Sequence, residues 1–403
     1  MKSLVIGAGV GGLFFANLYD GQALIIDKNE FAGRKLLATG NGRCNFTNLN
    51  MGERFYRSSN PGFYKYLIEK YDNHDLIDFF EKRGLLTTSL ESGRCYPETL
   101  SSKTVRDILY MNAKEKSKFL FETDVLDIDF DKKLVISENK KIPYDNLIIA
   151  TGGISLPGSG SDGKIFEIIK KVHKVTRLSY GITNYKAKNP LSKKAKGVRV
   201  RARASLYIDD KYIGSSTDDV IFQNYGLTGT AIFDLSNDIS YGLFKKKPIR
   251  VEVDLLSAYE FKNLVAIIEK LAKDHPNWDL YDLLTGLLNE KLIGDIIKRS
   301  GLGHKKASDL TKKEIKNLVG TIKSLNFDLI AIHDKENAQV TIGGVDSRYI
   351  DNKTCQSKII DGLYFIGEVI DVDGACGGYN IQWAYSSARA VCQHLRSKNV
   401  KNQ

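Results

Sequence analysis

Three glycines near the start of the chain, Gly7, Gly9 and Gly12, have the spacing of a dinucleotide-binding turn. Gly7 permits the tight turn, Gly9 lets the backbone approach a pyrophosphate, and Gly12 allows a helix to pack closely on a strand. The first turn of that helix offers N–H groups to the pyrophosphate. Asp27, twenty positions after Gly7, is placed to accept a hydrogen bond from an adenosine ribose. Its charge argues against a 2′-phosphate, but the pattern does not separate NAD from FAD.

A second glycine pattern, at residues 158–163, matches the same formula without its context. Residues 152–157 separate it from the apolar strand expected at 146–150, and no acidic residue lies between positions 171 and 183. A second nucleotide-binding unit requires both features, so we do not assign a nicotinamide site here. The predicted strand at 146–150 ends instead in Thr151-Gly-Gly153, where backbone can lie against a flat or phosphorylated group.

The C-terminal stretch 367–390 combines several glycines with carboxylates at Glu368, Asp371 and Asp373, and it contains no histidine or lysine that could act as a base. Such a segment suits a protein whose cofactor performs the chemistry. Five cysteines without a CxxC pair favour reduced thiols over disulfides or a zinc site, so no metal site is predicted. Single cysteines and isolated histidines give no catalytic assignment, and the catalytic residues are left unknown.

The elements around these residues indicate an α/β protein. Residues 1–31 read as strand, glycine turn, helix and strand, and the apolar runs 146–150 and 363–366 are typical of a parallel sheet covered on both faces. Further strands are expected at 198–208, 219–223 and 249–254, whereas Gly93–Pro97 reads as a loop. Residues 256–325 look helical, with a capping box at Thr311-Lys-Lys-Glu314.

Sequence blocks along nearly the whole chain resemble one flavoprotein family. They are Gly33–Asn48, Gly93–Pro97, Ala150–Gly153, Pro157–Gly160, Asn224–Gly229, Thr341–Val345, Ser357-Lys358 and Gly367–Ala390. These blocks are similar to the BaiN/RdsA family, also called YhiN-like and including aminoacetone oxidase-type proteins, of NAD(P)/FAD-dependent oxidoreductases. The resemblance implies a Rossmann-type FAD-binding domain, interrupted by a β-rich insert domain and a small helical insert domain. We expect the FAD domain at 1–185 plus 336–403, the β-rich insert at 186–255 plus about 326–335, and the helical insert at 256–325.

The same resemblance implies a set of residues for non-covalent FAD. Beyond Gly7, Gly9, Gly12 and Asp27, they are Arg34, Lys35, Gly40, Gly42, Asn45, Val125, Thr151, Gly152, Gly367, Glu368, Asp371, Gly377, Gly378, Tyr379, Asn380 and Ile381. Arg34 and Lys35 would lie near the ribose or pyrophosphate, and Val125 would offer its backbone to the adenine. Glu368 and Asp371 are the carboxylates expected on the sugar–phosphate arm. Residues 377–381 would present backbone N–H groups to the pyrimidine end of the isoalloxazine.

We therefore expect an oxidoreductase that moves a hydride between a small organic substrate and flavin N5, with transient NAD(P)H or oxygen as the other partner. The residues do not rank an amine against an activated double bond as substrate, and the oligomeric state is not readable. A flavin-dependent RNA-modifying enzyme and a non-catalytic FAD-binding redox sensor or interaction protein are the alternatives.

Net charge and hydropathy limit which partners and which cellular location can be expected. The net charge is +11, and residues 186–203 contain eight Lys or Arg and no acid. Because Val198, Val200 and Ala202 alternate with arginines and no aromatic residue interleaves, this run reads as one solvated strand face, and nucleic acid is not the expected partner. We expect a cytoplasmic protein without a membrane span, and a strand at Ser3–Ile6 leaves no room for a signal peptide.

Overall fold

The structure, a computed structural model, describes residues 2–401. The strands before residue 182 are β1 (Ser3–Ile6), β2 (Ala23–Ile26), β3 (Thr47–Asn48), β4 (Tyr56–Arg57), β5 (Thr87–Ser89), β6 (Arg94–Pro97), β7 (Lys118–Leu120), β8 (Val125–Asp129), β9 (Leu134–Ser137), β10 (Lys141–Pro143), β11 (Asn146–Ile149) and β12 (Ser179–Gly181). The α-helices of this part are α1 (Val10–Leu18), α2 (Lys65–Lys70), α3 (Asn73–Glu81), α4 (Ser102–Lys116) and α5 (Lys164–Ile169).

Strands and helices of the middle of the chain form a second set. The strands are β13 (Tyr185–Ala187), β14 (Arg199–Ile208), β15 (Lys211–Gln223), β16 (Gly226–Thr228), β17 (Ile249–Asp254) and β18 (Leu325–Ile332). The helices are α6 (Thr230–Asp234), α7 (Ser236–Phe244), α8 (Phe261–Asp274), α9 (Leu280–Thr285), α10 (Glu290–Ser300) and α11 (Lys312–Lys323). The last part of the chain adds β19 (Val340–Ile342), β20 (Leu363–Phe365), β21 (Asp373–Gly374) and α12 (Tyr379–Lys401).

A five-stranded parallel sheet, in the order β20-β11-β1-β2-β7, organises the first compact unit, which runs to Gly181 and resumes at Lys335. Ser3 of β1 pairs with Asn146 of β11 on one side and Ala23 of β2 on the other. Apart from their first residues Ser3, Asn146 and Lys118, these strands consist of apolar and aromatic residues, as expected for a sheet that helices cover. Helix α1 packs against α12 and α4, and its Phe14 meets Tyr385 edge to face with ring centroids 5.4 Å apart. This sheet confirms the predicted Rossmann-type α/β fold.

A small antiparallel sheet, β3-β6-β5, corrects one expectation in this unit. Residues Arg94–Pro97 form strand β6 rather than a loop, with Cys95 facing Thr47 of β3 and Ser89 of β5. Buried Cys95 and Pro97 alternate with half-buried neighbours, which is the period of a strand. The segment is too short for this alternation to be recognised in the sequence.

The second compact unit, residues Ile182–Asp334, contains a closed barrel in the order β13-β16-β15-β14-β17-β18. Strands expected at 198–208 and 249–254 are present, whereas β15 begins at Lys211, earlier than the expected 219. Helices α8–α11 share one apolar core with the barrel, and the predicted Thr311–Glu314 capping box is confirmed at the start of α11. The division into three domains with the boundaries given above stays a prediction.

The length and polarity of the helices decide whether any of them can insert into a membrane. Across residues 2–401, none of the helices combines the length and the apolar character needed to span a bilayer.

Candidate FAD-binding site

Four of the predicted cofactor segments lie at the carboxyl ends of neighbouring strands of the parallel sheet. Gly7 follows β1, Asp27 follows β2, Thr151 lies two residues after β11, and Gly367 lies two residues after β20. Open α/β sheets bind their ligands at this edge. Gly7 has φ +105°, and a Cβ there would stand 2.6 Å from the Ala150 carbonyl oxygen. The turn after β1 therefore touches the end of β11 directly.

The three glycines of the first turn have different surroundings. A Cβ on Gly12 would stand 2.0 Å from the Gly7 carbonyl oxygen, so only glycine lets α1 lie against this turn. A Cβ on Gly9 would meet one atom only, the Ala150 oxygen at 3.9 Å, so the space beside Gly9 is open. This arrangement fits a turn packed by two glycines and approached by a ligand at the third.

Asp27 is held in place by backbone and side-chain donors. Its Oδ2 accepts a hydrogen bond from the Ala8 amide at 2.6 Å, and its Oδ1 accepts one from the Asn29 amide at 2.8 Å. Carboxylate oxygens retain further lone pairs, so Asp27 can still accept hydroxyl groups. The Thr123 amide donates to the Asp27 backbone carbonyl at 2.9 Å, so the segment that leads into Val125 lies next to Asp27.

Asn29 is a residue of this corner that sequence reasoning missed. It accepts a hydrogen bond from Arg34 at 3.3 Å and donates one to the Ser159 carbonyl at 3.1 Å. Gly160 has φ +98°, and a Cβ there would stand 2.5 Å from Nδ2 of the Asn29 side chain. The glycine at 160 in the second pattern therefore makes room for Asn29, which gives it a structural role without a second nucleotide. The only sequence signal for Asn29 is its position two residues after Asp27.

Lys35 and Glu368, 333 positions apart, form an ion pair at the centre of the site. The Lys35 ammonium lies 2.7 Å from Glu368 Oε2 and donates to Ser155 Oγ at 2.7 Å. Glu368 Oε1 accepts hydrogen bonds from Ser155 Oγ at 2.8 Å and from the Thr341 amide at 2.5 Å. Burial raises the pKa of Glu368, but the Lys35 charge and these hydrogen bonds outweigh it and hold the pKa below 4.5. Glu368 is therefore ionised at neutral pH.

Two buried hydroxyl groups, one of them close to Glu368, have no hydrogen-bond partner among residues 2–401. They are Thr151 Oγ1 and Ser161 Oγ. Gly152 lies between them, with φ +74°, and a Cβ there would stand 2.9 Å from Ser161 Oγ and 3.5 Å from Glu368 Oε2. Buried polar atoms are nearly always satisfied, so these hydroxyls call for a polar ligand. The oxygens of a pyrophosphate or a sugar fit that requirement, and the open space beside Gly9 fits the same group.

Asp371 and Asp373 differ from Glu368 because no lysine among the described side chains forms an ion pair with them. Asp371 accepts a hydrogen bond from the Ser59 amide at 3.1 Å and another from the Ser59 hydroxyl. Burial raises the pKa of Asp371 despite these bonds. Burial, and then the negative charge of Asp371, raise the pKa of Asp373 well above its ordinary value, although the Gly343 amide donates to it at 3.2 Å. Burial thus shifts Asp373 toward its neutral form, opposite to the shift of Glu368.

The start of α12 is fixed by the glycines that precede it. Gly378 has φ +96°, and a Cβ there would stand 2.6 Å from the Thr47 amide nitrogen. The Asn380 side chain accepts from the Gly374 amide at 2.9 Å and donates to the Gly374 carbonyl at 2.8 Å. The Tyr379 ring stacks on Phe55, with centroids 4.4 Å apart. The first hydrogen bond of the helix runs from the Gln382 amide to the Gly378 carbonyl, so α12 begins with its positive end at residues 379–381.

The glycine loop between Lys35 and Gly42 joins this region through Asn45. The side-chain Nδ2 of Asn45 donates to the backbone carbonyls of Thr47 and Cys95, both at 2.8 Å, so Asn45 anchors the loop to β3 and β6. Gly40 has φ +56° and lies against the Asn45 backbone. Burial raises the pKa of the Cys44 thiol to about 12, so Cys44 is not a thiolate at neutral pH. Binding of FAD by Gly40, Gly42 and Asn45, as by all other residues of the predicted set, including Arg34, Val125, Gly377 and Ile381, stays a prediction.

Comparison with known proteins identifies relatives over nearly the full length. The family model described as HI0933-like protein Rossmann domain matches residues 1–394. The chain is 28% identical over 393 residues to the 3-dehydro-bile acid delta(4,6)-reductase of Clostridium scindens, covering 95% of this chain and 96% of that protein. It is 30% identical over 401 residues to the ribosomal RNA dihydrouridine synthase of Haemophilus influenzae, covering 96% and 97% respectively.

Solved structures share the fold at low sequence identity. The 3-ketosteroid delta1-dehydrogenase of Sterolibacterium denitrificans aligns with a TM-score of 0.50 at 8% identity, covering 98% of this chain and 99% of that one. At this identity the likeness concerns the fold alone. Together with the family match, these findings confirm the resemblance drawn from the sequence blocks.

Proposed function

The chain belongs to the HI0933-like Rossmann family and is an FAD-dependent oxidoreductase, and from that premise we propose that it reduces a carbon–carbon double bond conjugated with a carbonyl group. One observation carries the proposal: two relatives that each cover at least 95% of the chain are named for such chemistry. A 3-dehydro-Δ4,6 bile acid has double bonds conjugated with its 3-ketone. Dihydrouridine is uridine whose C5–C6 double bond, conjugated with the C4 carbonyl, has been saturated.

The ion pair and the buried hydroxyls support a binding role for the first half of the cofactor. We assign Asp27 to the adenosine ribose, and Gly9 to the pyrophosphate as the point of close backbone approach. Lys35 supplies the positive charge next to the phosphates, and ionised Glu368 accepts a hydrogen bond from a sugar hydroxyl. Thr151 and Ser161 donate their otherwise unpartnered hydroxyls to the same group.

Residues 379–381 have an electrostatic role in this proposal. Bound FAD would supply the redox chemistry, with hydride leaving N5 of its reduced form and negative charge located at the pyrimidine end of that form. The positive end of the 23-residue helix α12 stabilises an anion near Tyr379, Asn380 and Ile381. Glycines at 377 and 378 keep side chains away from this end. Because the stretch 367–390 holds no histidine or lysine, the chain contributes charge and orientation here rather than a strong base.

We assign the reducing equivalents to NADH or NADPH, used transiently. NADH and NADPH are soluble hydride donors that can reduce the flavin again after each turnover. Residues 157–159 form a short 3-10 helix instead of a strand, so the segment 158–163 lacks the strand that precedes a Rossmann-type nucleotide-binding turn. We therefore assign the nicotinamide a transient role. An amine oxidase that returns electrons to oxygen is the competing assignment, and it predicts a different electron donor.

Steady-state turnover under anaerobic conditions tests the proposal. The purified holoprotein is mixed with NADH or NADPH, and consumption of the nicotinamide is recorded with and without cyclohexenone, a uridine-containing RNA hairpin or aminoacetone. We expect consumption that requires one of the two conjugated substrates. Flavin bleaching by aminoacetone in the absence of nicotinamide, with peroxide formed on admitting air, would assign the chain to the oxidases instead.

A further inference from the structure

Within residues 2–401, strand β5 is an edge strand of the small sheet β3-β6-β5. The leucines on either side of it, Leu86 and Leu90, are 73% and 50% exposed. Proteins commonly protect an edge strand from pairing with charged side chains or proline, and neither occurs from Leu86 to Leu90. The edge of this sheet is therefore open to a further strand.

The direction of the backbone groups in β5 follows from its pairing with β6. The Leu90 amide donates to a β6 carbonyl at 3.0 Å, and the Leu86 carbonyl accepts from the amide that follows β6 at 2.8 Å. Successive residues of a strand direct their N–H and C=O groups to opposite sides. The N–H and C=O groups of Thr87 and Ser89 consequently face away from β6, toward the open edge.

The sequence Leu86-Thr-Thr-Ser-Leu90 reads nearly the same in both directions. When two copies pair antiparallel about Thr88, Thr87 of one copy lies opposite Ser89 of the other. These are the residues whose backbone groups face the open edge, so both cross-strand pairs can exchange N–H···O bonds. A two-fold axis at Thr88 also lets each copy use the same surface, as in most homodimers.

The side chains of this segment complement one another in polarity and in charge. The backbone bonds place Leu90 beside Arg94 and Leu86 beside Glu98, and residues paired across strands share one face of the sheet. Across the two-fold axis, Leu86 of one copy meets Leu90 of the other. Each row of side chains then has an arginine at one end and a glutamate of the second copy at the other end. Two leucine pairs form, and like charges do not meet.

We propose that this protein associates with a second copy of itself through strand β5, which extends the small sheet across a two-fold axis at Thr88. The outward backbone groups, the exposed leucines and the charged ends of the rows all fit this one occupant. A standard interface uses about 20–30 residues on each side, far more than this short segment supplies. The dimer is therefore weak, and its population depends on protein concentration.

Sedimentation velocity of the purified holoprotein, from about 1 to about 200 µM, tests the association in the range expected for a weak dimer. We expect the weight-average mass to rise from that of one chain toward that of two. Hydrogen exchange at the Thr87 and Ser89 amides should slow over the same range, because these amides become bonded in the dimer. A mass that stays at one chain throughout would overturn the proposal.

The position of the axis is tested by exchanging charges at Thr88, the residue that meets its own copy. Thr88→Lys and Thr88→Glu should each raise the dissociation constant about 30-fold or more, because like charges then face each other. An equimolar mixture of the two variants should associate at least as tightly as wild type. Met111→Lys places the same charge on an exposed residue of α4 and should stay within about twofold of wild type. A mixture that remains monomeric would overturn the assigned register.

The leucine contacts are tested without adding charge. Leu86→Ser should raise the dissociation constant about tenfold, because it removes both leucine pairs. Leu126→Ser is the matched control, since it removes a leucine that is 54% exposed on β8, and it should associate as wild type does. Thermal unfolding establishes that each variant is folded. A dimer that persists unchanged in both Leu86→Ser and Thr88→Lys would place the contact elsewhere and overturn the proposal.

Discussion

Glu368 and Asp373 lie five residues apart in one segment, yet the structure shifts their pKa values in opposite directions. Glu368 meets the Lys35 ammonium at 2.7 Å and its pKa is lowered despite burial. Asp373 meets a backbone amide and the nearby Asp371 carboxyl, and burial raises its pKa well above 3.8. Lys35, from a distant part of the chain, forms an ion pair with Glu368, whereas the charge of Arg57 lowers the pKa of Asp373 by less than burial and Asp371 raise it. Burial alone would neutralise both acids.

This contrast separates two chemical abilities within one site. An ionised carboxylate only accepts hydrogen bonds, whereas a neutral carboxyl also donates one. Glu368 therefore suits a sugar hydroxyl, and Asp373 suits an acceptor atom. Four substitutions test this contrast, and their expected effects decrease from Lys35→Met to Asp373→Asn.

Lys35→Met removes the cation that keeps Glu368 ionised, and we expect the largest loss. A carboxylate left without its partner costs about 2–3 kcal/mol of the free energy of unfolding, less than for a fully buried pair because both side chains retain partial exposure. The pKa of Glu368 should rise, and the purified protein should lose most of its FAD. Urea unfolding and the flavin-to-protein absorbance ratio measure both effects.

The double variant Lys35→Met/Glu368→Gln is the control for this loss. Removing both charges leaves no uncompensated ion, so the double variant should be more stable than Lys35→Met alone. Strict additivity of the two single losses would contradict the pairing.

Gly152→Ala fills the space beside Glu368. An alanine at φ +74° is strained, and its Cβ would meet Ser161 Oγ at 2.9 Å, so we expect about 1–2 kcal/mol of destabilisation and about tenfold weaker FAD binding. Gly158→Ala on the same loop is the matched control, because a Cβ there meets no atom within 4 Å. Equal FAD affinity in the two variants would contradict the assignment of the cofactor to this corner.

Glu368→Gln should cost about 1 kcal/mol, since Lys35 remains partly solvated and the amide retains an acceptor oxygen. The folded pKa of Glu368 is lowered, so its contribution to stability is present above pH 4.5 and is lost as pH falls through the folded pKa. The variant should therefore lose less stability than wild type on acidification below pH 4.5. Unfolding midpoints in urea across that range provide the measurement.

Asp373→Asn should have the smallest effect at low pH, below about 0.5 kcal/mol, because an amide resembles the neutral carboxyl it replaces. The folded pKa of Asp373 lies above its unfolded value of 3.8, so the wild-type contribution declines as pH rises from 3.8 toward the folded pKa. The difference in stability between variant and wild type should grow in favour of the variant over that window. A constant difference would mean that folding does not raise the pKa of Asp373.

The sequence predicted the frame of the site well, because its signals are local. The glycine turn at Gly7–Gly12, the acid at Asp27 and the apolar strand at 146–149 can each be recognised from neighbouring residues, and the parallel sheet then places their ends together. The glycine pattern at residues 158–163 lacks the local context of such a turn, because residues 157–159 form a short 3-10 helix. Its glycine at 160 accommodates Asn29, which no motif could have indicated.

The sequence did not predict contacts between distant parts of the chain. Nothing near Lys35 indicates Glu368, and nothing near Glu368 indicates Ser155 or Thr341. Pairing of this kind depends on tertiary packing, which single-sequence patterns do not encode.

A single-turnover experiment measures directly whether the reduced flavin reduces a carbon–carbon double bond conjugated with a carbonyl group. Holoprotein reduced photochemically under anaerobic conditions is mixed with limiting cyclohexenone or with a uridine-containing hairpin of ribosomal RNA, and flavin absorbance is followed while the product is weighed by mass spectrometry. The account predicts flavin reoxidation in equal amount to a product that has gained two hydrogen atoms. Flavin that stays reduced with both substrates and is reoxidised only when oxygen is admitted would contradict it.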